Sequence, residues 1–115
     1  MKNSINIINN YNKCENLENK NNKVTIKCLD ISNITYEDYQ MFYKYATEER
    51  KKRADHYRHF EDSKRCILTE ILLRYSLSDS FDIVYPKCGK PYLQNVENFF
   101  FNFSHSGKWV VVAYG

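Results

Sequence analysis

The chain has 115 residues, 43% hydrophobic and 16% aromatic, with a formal net charge of +3. That length allows at most one domain with a modest core, and ten Tyr and seven Phe give it apolar surface to fill one. No apolar run approaches membrane-spanning length and no secretory signal pattern opens the chain, so the sequence reads as a non-membrane protein whose default compartment is the cytoplasm.

Residues 1–22 are dominated by Asn and Lys. They bury too little to offset their ordering entropy and read as a flexible or weakly ordered arm, leaving 23–115 as the domain. From Val24 to Leu29, apolar and polar residues alternate as in a strand. Thr35 opens a helix with the Thr-x-x-acid capping arrangement, Thr35 to Asp38. Tyr39, Phe42, Tyr43 and Ala46 follow at helical spacing. Thr47 reads as a second N-cap, with Glu48 and Glu49 where the helix dipole favours negative charge. The clearest helix is EDSKRCILTEILLRYSL, in which Ile67, Leu68, Ile71, Leu72 and Tyr75 form a broad apolar stripe. A short strand is expected at Asp82–Val84, a turn in YPKCGKPYL, and two strands at Phe99–Ser104 and Trp109–Tyr114, joined by His105-Ser106-Gly107-Lys108. This order predicts an α+β domain: an antiparallel sheet with helices packed on one face, the last two strands pairing as a hairpin over the Ile67/Leu68/Ile71/Leu72 stripe.

The residue types narrow the chemistry. The cysteines Cys14, Cys28, Cys66 and Cys88 have neither a CxxC pair nor metal-ligand spacing and read as reduced thiols. His56, His59 and Cys66 read as helix surface rather than a metal cluster. The basic residues Arg50, Lys51, Lys52 and Arg53, with Arg58, Lys64 and Arg65 behind them, suggest an anionic partner, against the plain alternative of a solvated helix face. Serine hydrolysis is disfavoured: neighbouring strand residues point to opposite faces, and no G-x-S-x-G elbow exists. Phosphate binding suits the residues better. Ser104, His105 and Ser106 offer donors beside Gly107, Gly89-Lys90-Pro91 adds a cation at a glycine turn, and Arg50 and Arg53 supply guanidinium forks.

In combination, RCILTEILLRY, GKPYL and FNFSHSGKWVVVA resemble the surfactin-type 4′-phosphopantetheinyl transferases over roughly residues 47–115. Those enzymes carry a core helix, a (Y/F)GKP turn and an N-x-S-H-S-G hairpin in the same order. The pair of motifs in that order is far more specific than either alone. The resemblance implies one half of a pseudo-twofold α+β fold. The implied activity moves phosphopantetheine from coenzyme A to a serine of an acyl or peptidyl carrier protein with the help of Mg²⁺.

It also implies roles. Arg50 and Arg53 would meet the 3′-phosphate of coenzyme A. Gly89, Lys90 and Pro91 would hold the adenine and a nearby phosphate, and Ser104 and His105 would reach the nucleotide phosphates. Cys66 stands where the family has a small hydroxyl residue, and Cys88 where it has an aromatic before the glycine. In the family, Mg²⁺-binding carboxylates and a lysine-bearing helix follow the hairpin, so no catalytic or metal-ligating residue is assigned here. Glu61, Asp62, Glu70 and Asp82 are not taken as substitutes. The expectation is a transferase N-terminal half that binds coenzyme A weakly and is inactive alone. It would expose an apolar surface to a second copy or to a C-terminal half. The alternative is a non-enzymatic module binding a carrier protein or partner subunit through its basic and aromatic surface. A nucleic-acid role lacks any RRM, KH or helix-turn-helix signature.

Overall fold

Alternation at the start of the domain becomes a strand that pairs on both edges. The computed structural model describes the backbone of residues 15–19 and residues 24–78 and 81–115. In it, β2 (Val24–Asp30) lies between β1 (Glu15–Asn19) and β6 (Trp109–Tyr114), and β5 (Phe101–Ser106) closes the far edge, giving an antiparallel sheet of order β1-β2-β6-β5. The expected arm at 1–22 falls mostly outside the described residues, but Glu15–Asn19 are a strand rather than an arm. Composition misses it because backbone pairing with β2 requires no apolar side chains.

The C-terminal hairpin forms as expected, with β5 displaced two residues along the chain. Its turn is only Gly107-Lys108, with Gly107 at φ +57°, the positive φ that a two-residue hairpin turn demands. His105 therefore sits on the strand, paired with Val110, and not in the turn. Ile31 N–H donates to the Lys108 carbonyl at 2.8 Å, and the Arg65 guanidinium donates to the Gly107 carbonyl at 2.9 Å, so both turn residues are tied to the body of the fold.

Both threonine caps work as the sequence suggests. Helix α1 (Tyr36–Tyr43) starts with a full capping box between Thr35 and Asp38. Helix α2 (Glu48–Asp55) starts with the Thr47 hydroxyl accepting from Arg50 N–H at 3.3 Å. Helix α3 (Phe60–Ser76) lacks a side-chain cap but carries Glu61 and Asp62 in its first turn. Ile67, Leu68, Ile71, Leu72 and Leu73 are fully buried on it, packed with Leu29, Phe42, Phe101, Val110 and Val112. Helix α3 lies against β6, β5 and β2 on one side and against α1 and α2 on the other. The class is α+β, with the apolar stripe of α3 at its centre.

The chain then forms a minimal hairpin, β3 (Ile83–Val84) with β4 (Tyr92–Leu93). Between them, residues 85–91 project as a loop carrying the GKP motif. Among the described residues no helix is long and apolar enough to cross a membrane.

Candidate functional site

Helix periodicity splits the basic block. Arg50 and Ala54 lie four apart on the face of α2 that meets α3, so both are buried. Arg50 is only 7% exposed: its Nε donates to the Cys66 carbonyl at 3.0 Å, its Nη2 to Thr69 Oγ1 at 2.9 Å, and its guanidinium lies 4.8 Å from the centre of the Phe103 ring. Arg53, three positions on, is exposed. Lys64 is also buried and donates to the Ile34 carbonyl at 3.2 Å, so it adds nothing to a basic surface.

The two arginines form one wall of a cleft of about 500 Å³. Tyr85, Lys87, Gly89 and Pro91 of the loop form a second wall, and Phe101, Asn102, Phe103 and His105 of β5 a third. Phe101, Phe103 and His105 alternate by two and turn one face of the edge strand toward the cleft, while Asn102, from the other face, also borders it. Ser104 lies between Phe103 and His105, belongs to the opposite face, and is not among the lining residues. Lys90 is also outside the lining; its Nζ is 3.5 Å from Asn102 Oδ1, reaching from the loop to β5. The structure thus gathers Arg50, Arg53, Gly89, Pro91 and His105 in one place, with Lys90 and Ser104 at its margin.

Of the residues at or behind this site that sequence reasoning did not assign, Lys87, Tyr85 and Glu70 carry its chemistry. Lys87 contributes a further cation, and its signal was the basic residue two before the glycine. Tyr85 contributes a ring wall, and burial pushes its phenol well above the ordinary tyrosine range, with the nearby Glu70 carboxylate adding to the effect. Glu70 itself is fully buried behind the cleft. It accepts from Thr47 N–H at 2.6 Å, Thr47 Oγ1–H at 2.9 Å and Tyr85 O–H at 2.6 Å. Nothing in the periodicity of α3 distinguishes Glu70 from a surface acid, because its partners come from 23 and 15 residues away.

Cys66 is buried as well, 5% exposed, with Sγ 3.8 Å from the Arg50 carbonyl, and burial raises its thiol pKa. It packs α2 onto α3 and presents nothing to the cleft. Cys88 is exposed at the loop tip.

Gly89 has φ +95°, with nothing within 4 Å of where a Cβ would stand. Gly89→Ala therefore meets conformational strain and no clash. The substitution should cost about 1 kcal/mol, felt mainly in the loop. Its melting temperature should stay within a few degrees of wild type while amide exchange across 85–91 accelerates. Unchanged exchange would contradict the strain argument.

The lining combines Arg50, Arg53, Lys87 and an imidazole with aromatic rings and includes no carboxylate. Such a concave surface suits a ligand with several anionic groups and a planar apolar part. It does not suit a divalent cation. Among the described residues, no group of three His, Cys, Asp or Glu could hold a metal ion, and Glu70 already accepts hydrogen bonds at both oxygens. Mg²⁺ does not fit these residues.

Comparison with known proteins gives this arrangement a context. The family described as 4′-phosphopantetheinyl transferase, N-terminal, matches residues 33–114. The chain is 30% identical over 88 residues to the 4′-phosphopantetheinyl transferase Sfp of Bacillus subtilis (strain 168), covering 70% of this chain and 39% of that protein. It is 30% identical over 76 residues to the 4′-phosphopantetheinyl transferase psf-1 of Bacillus pumilus, covering 60% and 33% respectively. It is 28% identical over 88 residues to the 4′-phosphopantetheinyl transferase ffp of Bacillus subtilis, covering 70% and 39%. The chain thus spans under two fifths of the length of these relatives, 39%, 33% and 39%.

Proposed function

The chain belongs to the 4′-phosphopantetheinyl transferase N-terminal family, and we propose that its cleft binds the nucleotide end of coenzyme A for transfer of phosphopantetheine to a carrier-protein serine. The observation that carries this reading is the lining: three cations and His105 converge with no opposing carboxylate. In the proposed pose, Arg53 and Lys87 neutralise the outer phosphates and Arg50 supplies fixed positive charge from its buried seat. Gly89 lets the loop backbone approach the ligand closely, and His105 donates from the strand to a phosphate oxygen. Phosphoryl transfer of this type depends on positioning and charge neutralisation, which these residues offer on the leaving-group side.

These 115 residues by themselves bind coenzyme A weakly and do not transfer phosphopantetheine. The lining offers cations for phosphates but no carboxylate to bring Mg²⁺ against them, so the charge stabilisation at the reacting phosphate is incomplete. The fold would then be one of two similar halves. The sheet face carrying half-buried Trp109, Val111 and Ala113, which alternate with buried Val110 and Val112, would turn toward the other half.

Calorimetric titration of coenzyme A into the chain tests the binding claim. Wild type should bind, and His105→Ala should weaken binding about tenfold, the loss of one charge-assisted hydrogen bond, without changing the melting temperature by more than a few degrees. Equal heats for both proteins would remove His105 from the site. Modification of an apo carrier protein by this chain alone would overturn the claim of inactivity.

A further inference from the structure

Glu70 is the one fully buried carboxylate among the described residues, and its three hydrogen bonds go to two different walls of the cleft. Thr47 N–H and Oγ1–H, at 2.6 and 2.9 Å, belong to the cap of α2, the helix that carries Arg50 and Arg53. Tyr85 O–H, at 2.6 Å, belongs to the loop that carries Lys87 and Gly89. The Thr47 hydroxyl also accepts from Arg50 N–H at 3.3 Å, so the chain of contacts from the carboxylate continues into the arginine's own backbone. Helix α3, at the centre of the core, thus reaches both walls through one side chain.

We propose that Glu70 is a positioning residue: its carboxylate ties the cap of α2 to Tyr85 and so sets the spacing between the arginine wall and the Lys87–Gly89 wall. This rests on the cleft being the anion site proposed above. The geometry favours positioning over simple core satisfaction. Glu70 has an ion-pair partner on its own helix, Arg74 at 3.8 Å, yet its hydrogen bonds go to Thr47 from 23 residues upstream and Tyr85 from 15 downstream. Both of those residues adjoin or line the cleft. A carboxylate can accept from two directions at once, and a carboxamide cannot, because its nitrogen is only a donor. Glu70→Gln therefore keeps the shape and one acceptor for Thr47 N–H, but replaces the oxygen that accepts from both Thr47 Oγ1–H and Tyr85 O–H with a donor, so both hydroxyls lose their charged acceptor.

The test compares Glu70→Gln, Tyr85→Phe and the double variant as full chains, in two arms. In the first, coenzyme A affinity is measured well below each melting temperature. Each single variant should bind about tenfold more weakly, the usual scale for removing the group that supports a binding side chain. The double variant should be no weaker than either single one, because both break the same tie. In the second arm, which needs no ligand, amide exchange should rise at 48–53 and 85–91 together in Glu70→Gln, and at 85–91 alone in Tyr85→Phe. Wild-type affinity in folded single variants would overturn the proposal. So would a Glu70→Gln exchange change confined to one wall. Wild-type chain that does not bind coenzyme A would remove the proposed function, and the exchange arm would still decide whether Glu70 couples the walls.

Discussion

Glu70→Ala should destabilise the chain by about 3–5 kcal/mol, the cost typical of removing one partner from a buried charged network. The substitution strands three donors at once, Thr47 N–H, Thr47 Oγ1–H and Tyr85 O–H. It also removes the carboxylate 3.8 Å from Arg74 Nε and leaves a cavity in a site with no exposure. Each buried donor left without a partner costs about 1–3 kcal/mol, partly recovered if water enters the cavity. Urea unfolding of wild type and variant measures the difference. A loss under about 1 kcal/mol would mean that Thr47 and Tyr85 find other partners, and that the network is not what closes the α2–α3 junction.

The second large effect separates two arginines that the sequence presents as a pair. Arg50→Ala should cost about 2–4 kcal/mol of stability as well as coenzyme A affinity, because its guanidinium bonds the Cys66 carbonyl and Thr69 and packs on Phe103. Arg53→Ala should leave stability within about 0.5 kcal/mol, as exposed substitutions usually do, yet reduce affinity about tenfold or more. Unfolding curves and titrations on both variants read the split. Equal stability losses in the two would contradict the burial difference.

What the sequence makes legible is what has a local cause. The caps at Thr35 and Thr47 and the apolar stripe of α3 are set by residues within a few positions, and the structure follows them. The hairpin was legible too, but its register was not. Its position depends on Gly107 taking a positive φ in a two-residue turn, which moves His105 out of the loop and onto the strand. Strand β1 was hidden because its pairing is backbone to backbone.

At the site, motif order located GKP and the serine–histidine pair. β5 alternation turns His105 toward the cleft with Phe101 and Phe103; Ser104, on the opposite face, stays outside the lining, although Asn102 on that face borders it. Glu70 and Tyr85 became functional candidates only through long-range contacts. The burial of Arg50 came from the pitch of α2, a reading available from the sequence once Ala54 is taken as its core-facing neighbour.

The most direct test of the central claim, that this cleft recognises coenzyme A through its phosphates, is to titrate coenzyme A and dephospho-coenzyme A into wild type and Arg53→Ala. The two ligands differ only in the 3′-phosphate. Wild type should prefer coenzyme A by about tenfold, one charge-assisted contact, and Arg53→Ala should bind both ligands equally. Equal affinity of the wild type for the two ligands, or a preference that survives in Arg53→Ala, would contradict the account.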